Sequence, residues 1–276
     1  MGKEKIGLIA GNNTFPVQFA KAARAEGVKK IVAVGFYGET MKELSKYVDE
    51  FHWLKVGQLS KLIKIFKKSG VKSAVMVGQI NPKIVLRNFI GLDFRLIRLI
   101  FRLKDRRADT VLKSIADEIE REGITLEDST VFIKELIVPE GLITGRPLSR
   151  AQKMDINFGI RMAKGISGLD IGQTVVVKNK SVVAVEAMDG TDETIKRSGK
   201  IAGSGTVVVK VAKPQQDMRF DVPVIGLETV KNAVSAGVHV MALEAGKTVL
   251  FDKEKVIEMA EKNNIKIMGV DSRKVL

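Results

Sequence analysis

The chain has no cysteine, which excludes disulfides, thiolate-held zinc, iron–sulfur clusters and cysteine nucleophiles. Its two histidines, His52 and His239, argue against a histidine-rich metal site, and neither has a neighbour in sequence that suggests catalysis. Aromatic residues make up only 5% of the chain, which argues against a stacking platform for single-stranded nucleic acid. No window of about 18 residues is apolar and free of charge, so no membrane-spanning helix is predicted. The first apolar run, Ile6–Ala10, is too short for a secretory signal and no Ala-x-Ala pattern follows it. A cytoplasmic location is expected.

What is present is enough for a real core. The 276 residues are 45% hydrophobic and 28% charged, with 25 glycines and 6 prolines, which allows one large domain or two ordinary ones. Lys and Arg number 46 against 32 Asp and Glu, a net charge of +14. That surplus attracts anions, whether nucleic acid, acidic membrane or phosphorylated small molecules, and does not choose among them. High Lys with high Glu also fits a heat-adapted protein.

The first half alternates short apolar runs with helical spacing. Strands are expected at Lys5–Ala10, Ile31–Gly35, Glu50–Val56, Ser73–Val77 and Thr130–Ile133, with helices at Thr14–Glu26, Leu59–Lys68 and Asp109–Gly123. Strands that are continuous apolar runs between helices predict a parallel sheet covered on both faces. Pro82–Leu103 is greasy yet carries Arg87, Arg95, Arg98 and Arg102, the last three on one helical stripe. It reads either as a helix packed on the sheet with solvated arginines, or as a basic amphipathic surface for acyl chains or an acidic membrane.

Pro139 to Pro147 reads as a linker, which divides the chain into an N-terminal domain at 1–138, a linker at 139–149 and a C-terminal domain at 150–276. The second half is predicted to open with a helix at Arg150–Ile166. A hairpin, Thr174–Lys178 and Ser181–Ala187, turns at Asn179-Lys180. A helix at Thr191–Arg197 and a strand at Thr206–Ala212 follow. Then come a helix at Leu227–Ala236, a strand at Val238–Leu243, a helix at Lys253–Asn263 and a strand at Ile265–Val270. The fold class is α/β, a Rossmann-like parallel sheet followed by a distinct mixed α/β domain.

Several segments suit anion chemistry. Gly11-Asn12 follows the first strand and opens the first helix, where backbone N–H groups and a helix dipole favour phosphate. Gly78-Gln79 ends another strand in the same way, and ligands of such sheets sit at the carboxyl ends of strands. Neither turn is a GxGxxG or P-loop fingerprint. Glu186-Ala187-Met188-Asp189-Gly190-Thr191-Asp192 reads either as a helix N-cap cluster or as an oxygen-ligand site for Mg²⁺, a cation that takes one or two carboxylates plus substrate phosphate. Lys210 to Pro223 packs lysine, glutamine, aspartate and arginine, with Lys213 just before Pro214 and Gln216, Asp217, Arg219 and Asp221 between Pro214 and Pro223. Lysine and arginine neutralise phosphate oxygens, and an aspartate binds metal or orients water. Glu244 adds another strand-end acid.

An ordered set of motifs resembles the LpxI family of UDP-2,3-diacylglucosamine pyrophosphatases over nearly the whole chain. The set is Leu8-Ile9-Ala10-Gly11 with Phe15-Pro16, Leu169-Asp170-Ile171-Gly172-Gln173, Val185-Glu186-Ala187 with Gly190-Thr191-Asp192, Ala212-Lys213-Pro214 with Gln216 and Arg219, Asp221-Val222-Pro223 and Glu244-Ala245-Gly246. The resemblance implies Mg²⁺-dependent hydrolysis of the UDP-lipid to UMP and lipid X, the sugar 1-phosphate. It implies lipid bound between two domains and water attacking the sugar-side phosphorus. It makes Asp221 the essential acid; the residues themselves offer Lys213 and Arg219 as the cations for the diphosphate, and Glu186, Asp192 and Asp221 as candidate metal ligands. Substrate contacts are expected from Gly11, Asn12, Gly78, Gln79, Gln173, Thr191, Asp192, Gln216 and Glu244. A homodimer and peripheral contact with the inner membrane are expected, and no nucleic acid. The other readings are a non-catalytic nucleotide-sugar or lipid-phosphate binder, a nucleic-acid binder suggested by charge alone, and an NAD-dependent oxidoreductase, against which the missing GxGxxG speaks.

Overall fold

A computed structural model describes residues 4–80, 92–103, 108–220 and 222–275. The described chain forms two compact units, Met1–Lys134 with Asp217–Asp221, and Glu135–Gln216 with Val222–Leu276.

In the first unit, β1 (Lys5–Ala10), β2 (Lys30–Phe36), β3 (Glu50–Leu54), β4 (Ser73–Val77) and the short β5 (Thr125–Leu126) form one sheet in the order β3-β2-β1-β4-β5. Every pairing is parallel. The central strands are buried along their length because helices lie on both faces, which is why they read as unbroken apolar runs. One face is closed by α2 (Leu59–Lys68), α3 (Phe94–Phe101) and α4 (Ala108–Arg121). Phe66, Leu96 and Ile119 pack there against Val32 and Val34. Helix α1 (Phe15–Ala25) buries Phe15, Phe19 and Ala23. The order of strands reverses between β1 and β4, so the carboxyl ends of these two strands form the switch point where such sheets take ligands.

Two expectations are corrected here. Thr130–Ile133 is a turn, because Asp128 captures the Thr130 N–H at 2.7 Å and the Thr130 hydroxyl at 2.6 Å and bends the chain away from the sheet. The fifth strand lies earlier, at β5. The stretch Asp217–Asp221, far along the sequence, belongs to the first unit: the Ser129 N–H donates to the Met218 carbonyl at 2.8 Å and Phe220 joins the core.

The second unit is a mixed sheet in the order β6-β13-β11-β9-β7-β8, with β6 (Gly141–Leu142), β7 (Thr174–Lys178), β8 (Ser181–Val185), β9 (Thr206–Lys210), β11 (Val238–Glu244) and β13 (Lys266–Val270). β9, β11 and β13 are parallel; β7 is antiparallel to both β8 and β9. The predicted hairpin turns at Asn179 and Lys180, both with positive φ (51° and 57°), the geometry a two-residue turn needs. Helix α5 (Arg150–Gly168), opened by a Ser149–Gln152 capping box, covers one face with Ile156, Ile160 and Ala163. Helices α6 (Thr191–Ala202), α7 (Leu227–Ser235) and α8 (Lys253–Lys262) cover the other through Ile195, Val230 and Val256. A small parallel pair, β10 (Val224–Ile225) with β12 (Val249–Leu250), completes the unit.

Residues 139–149, expected to be a linker, are built into this unit. β6 pairs antiparallel with β13, and the Thr144 hydroxyl donates to the Ile265 carbonyl at 3.0 Å while accepting from the Ile267 N–H at 3.0 Å. The approach is close enough that a Cβ on Gly269 would overlap the Pro139 carbonyl. Gly269→Ala is therefore expected to lower stability by about 1–3 kcal/mol. Gly165→Ala, in α5 with nothing within 4 Å of the added carbon, should raise it by about 0.5–1 kcal/mol. Urea unfolding of the two variants checks both signs.

Candidate functional site

Antiparallel pairing brings the start of β7 to the end of β9: Thr174 sits opposite Lys210. Val175 sits opposite Val185, so Glu186, one residue past β8, lies at the same edge. Gly172 lets the preceding turn settle on β8, since a Cβ there would overlap the Glu186 carbonyl. Gly190, with φ 84°, ends the return loop and delivers Thr191 as the first residue of α6.

The side chains at this edge form a relay. Lys210 Nζ donates to Thr191 Oγ1 at 2.6 Å, and that hydroxyl donates to Glu186 Oε1 at 2.8 Å. Glu186 Oε2 accepts the Gln173 N–H at 3.1 Å and lies 4.0 Å from the Lys210 ammonium. Both charged groups are buried, with side-chain exposures of 7% for Lys210 and 13% for Glu186. Burial pushes the Glu186 carboxyl up, but the Lys210 charge and the donors from Thr174, Thr191 and Gln173 outweigh it and hold it below its ordinary value. Three expected residues, Gln173, Glu186 and Thr191, are thus brought together. Lys210, which heads the segment expected to handle phosphate but was given no role of its own, joins them, and a lysine closing the run Thr206-Val207-Val208-Val209 is the signal for its burial.

Asp192 follows in α6, and among the described residues nothing hydrogen-bonds its buried Oδ1. This oxygen suits a cation. Glu186 does not, because both its oxygens are taken by hydroxyl and N–H donors. No three Asp, Glu or His side chains are grouped to hold an ion among the described residues. A small hard cation would therefore lean on Asp192 and on substrate oxygens. Asp221 lies outside the described residues.

The expected cations are already paired. Lys213 makes a 2.7 Å ion pair with Asp170, a residue with positive φ, and its N–H donates to Gln216 Oε1 at 3.1 Å. Arg219, in the first unit, is held by Asp217 at 2.7 Å and Glu120 at 3.1 Å. Its guanidinium keeps the Asp217 carboxyl below the usual range. Glu244 is saturated: Lys164 Nζ lies at 2.6 and 2.8 Å, the Ser272 hydroxyl at 2.8 Å and the Ala212 N–H at 2.8 Å. Burial opposes its charge, yet these donors hold it ionised below its ordinary 4.5. It builds the unit and has no oxygen to spare for a substrate.

In the first unit the turns at Gly11-Asn12 and Gly78-Gln79 do meet at the switch point, packed so that a Cβ on either glycine would overlap the other turn. Three of the N–H groups expected to meet a phosphate there are already taken. The Gly11 N–H donates to the Val77 carbonyl at 2.8 Å and the Asn12 N–H to the Gln79 carbonyl at 2.7 Å. At the start of α1 the Phe15 N–H is taken by Asn13 Oδ1 at 2.8 Å, and Pro16 has none.

These features define a two-unit α/β protein with a Rossmann-like first sheet and a second sheet that gathers ammonium, hydroxyl and carboxylate at one edge. The chain belongs to the LpxI family: residues 5–136 match the LpxI N-terminal domain and residues 139–268 the LpxI C-terminal domain. It is 29% identical over 280 residues to the UDP-2,3-diacylglucosamine pyrophosphatase LpxI of Caulobacter vibrioides, covering 97% of this chain and 98% of that protein. Among solved structures it overlaps the biotin carboxylase subunit of pyruvate carboxylase with a TM-score of 0.26 at 13% identity, over 72% of this chain and 41% of that one. The biotin carboxylase domain of the Hydrogenobacter thermophilus 2-oxoglutarate carboxylase gives 0.27 at 15%, over 75% and 43%.

The structural role of Glu244 has a test. Lys164→Met strands a buried carboxylate and should cost roughly 3–5 kcal/mol at pH 7, and adding Glu244→Gln should recover at least half. Because the folded Glu244 carboxyl is held below 4.5, its stabilisation is present above that pH and lost as pH falls through the folded value. The gap between wild type and Lys164→Met should therefore narrow toward pH 4 in urea titrations.

Proposed function

We propose that this chain hydrolyses the pyrophosphate of a UDP-linked diacylated glucosamine. Water forms a bond to one phosphorus, the bridging P–O bond breaks, and UMP and the sugar 1-phosphate leave, with the proton of water passing to a carboxylate. The observation that carries the reading is the full-length kinship, through both family domains, with a protein named for this activity. The second unit supplies matching chemistry, a buried ammonium–hydroxyl–carboxylate relay that needs no reorganisation when charge develops beside it. Asp221 is carried from the family resemblance as the acid that orients water.

A divalent cation is part of the proposal. Glu186 already faces the Lys210 ammonium and Asp170 that of Lys213. That set has no positive surplus for a diphosphate. Asp192 would hold the cation, which when bound neutralises phosphate oxygens. UMP release from UDP-2,3-diacylglucosamine should be abolished by EDTA and restored by Mg²⁺, and Asp221→Ala should lower kcat roughly 10²–10⁴-fold. Binding of the lipid nucleotide with no UMP formed would instead make the chain a binding protein.

Peripheral membrane contact is assigned to α3. Leu96 faces the core, while Phe94 and Phe101 are 79% and 80% exposed and Arg98 and Arg102 are exposed with them. Of the predicted arginine stripe, Arg95 is instead tied to Glu122 at 2.6 Å, and residues 82–91 lie outside the described residues. No helix among the described residues is long and apolar enough to cross a membrane. Exposed rings beside cations suit the boundary of an anionic bilayer. Phe94→Ser with Phe101→Ser should weaken cosedimentation with phosphatidylglycerol vesicles about tenfold, and wild-type protein that stays in the supernatant would refute the assignment.

A further inference from the structure

At the switch point of the first sheet the Gly11, Asn12 and Phe15 N–H groups are taken within the turns, and the side chains gathered beside them point to a different ligand part. The loop after β2 is pinned to the end of β1 by buried Thr40, whose hydroxyl donates to the Ala10 carbonyl at 2.6 Å and accepts the Phe36 N–H at 2.8 Å. Gly35 permits this, since Phe51 and Thr40 occupy the space a Cβ would take. The pinned loop sets Glu39 beside the β1 turn, where Asn12 Nδ2 donates to Glu39 Oε2 at 3.2 Å. Two residues earlier Tyr37, 61% exposed, lies against Trp53 at the end of β3, with ring centroids 5.4 Å apart and planes 22° apart. The Tyr37 N–H donates to the Leu54 carbonyl at 3.0 Å, which fixes the ring's root to the neighbouring strand.

A carboxylate at this position repels phosphate and accepts from hydroxyls. An exposed ring backed by a tryptophan offers a flat face to a planar group. An acid past the second strand of a Rossmann-like sheet is placed to meet ribose hydroxyls. We propose that Glu39, with Tyr37, forms a ribonucleoside subsite: Glu39 accepts from the ribose 2′-hydroxyl and Tyr37 stacks on the base. The subsite deepens the functional reading above and rests on it for the identity of the base, uracil.

Calorimetric titration with UMP and with 2′-deoxy-UMP tests it. Wild type should prefer UMP about tenfold, the size expected for a hydrogen bond to a charged group. Glu39→Gln should reduce that preference below about threefold. Tyr37→Ala, a surface change, should weaken both nucleotides alike by about tenfold. Wild type that binds neither nucleotide or binds both equally, or Glu39→Gln that keeps the preference, overturns the proposal. Hydrolysis of UDP-2,3-diacylglucosamine, measured in parallel, separates the two readings. Turnover without ribose preference removes the subsite alone; ribose preference without turnover removes the hydrolase reading alone.

Discussion

A lysine buried at the end of an apolar strand must meet a counter-charge, and that constraint organises the second unit. Lys210 ends a strand whose other residues are apolar or hydroxyl-bearing and fully enclosed. Its partners arrive from three directions: Thr174 across the sheet, Glu186 past the hairpin, and Thr191 from the first turn of α6. Each arrival depends on a local feature. Gly172 admits the turn before β7, and Gly190 adopts the positive φ that releases α6 at the right residue. A buried ion pair gains little net stability over apolar packing, because desolvation of both ions opposes their attraction. Two such pairs at the edge of one sheet, Lys210–Glu186 and Lys164–Glu244, are costly furniture for a purely structural edge. The two differ in kind. Glu244 is closed off on every side, whereas Thr191 of the Lys210 relay is followed by Asp192, whose buried Oδ1 accepts no hydrogen bond among the described residues.

In the first unit the controlling fact is where backbone donors go. A βα turn at a switch point has N–H groups to give only while no neighbouring turn claims them. Here the two glycine turns claim one another, Asn13 takes the first donor of α1, and proline removes the next. The result is an edge with carbonyls, an amide, a carboxylate and an aromatic ring. A carboxylate and an exposed ring suit neutral donors and flat surfaces, and the +14 net charge of the chain gives no hint of this.

What was legible in the sequence follows the same division. Periodicity located β1, α2 and β4 to the residue, because each is a buried run closed by glycine or a polar break. The density of acids around Gly190 marked the Glu186–Thr191 pair. Lys210 fell inside the segment singled out up to Pro223, and its setting, an ammonium ending an apolar run, marks it as the buried member. Thr130–Ile133 misled because β-branched residues read as strand while Asp128 was bending them into a turn. The spent donors at Gly11 and Asn12 could not be read, since their acceptors lie at Val77 and Gln79, across the sheet and far along the chain. The joining of Asp217–Asp221 to the first unit was equally hidden, its one local sign being Phe220 in a polar stretch.

The pairing of Lys213 with Asp170 and of Arg219 with Asp217 and Glu120 changes what these cations can do. A cation already matched by a carboxylate contributes direction and hydrogen bonds to an incoming anion but little net charge. Neutralising a diphosphate through such residues requires either that the carboxylates be drawn off or that further positive charge arrive with the substrate. Drawing Asp170 off would undo the positive-φ turn that carries Gly172 and Gln173 to the relay. Arrival of charge asks for nothing to move, and the Asp192 carboxylate oxygen, which accepts no hydrogen bond among the described residues, could receive it. On physical grounds, a cation arriving with the substrate would ask less rearrangement of this edge than an anion arriving alone.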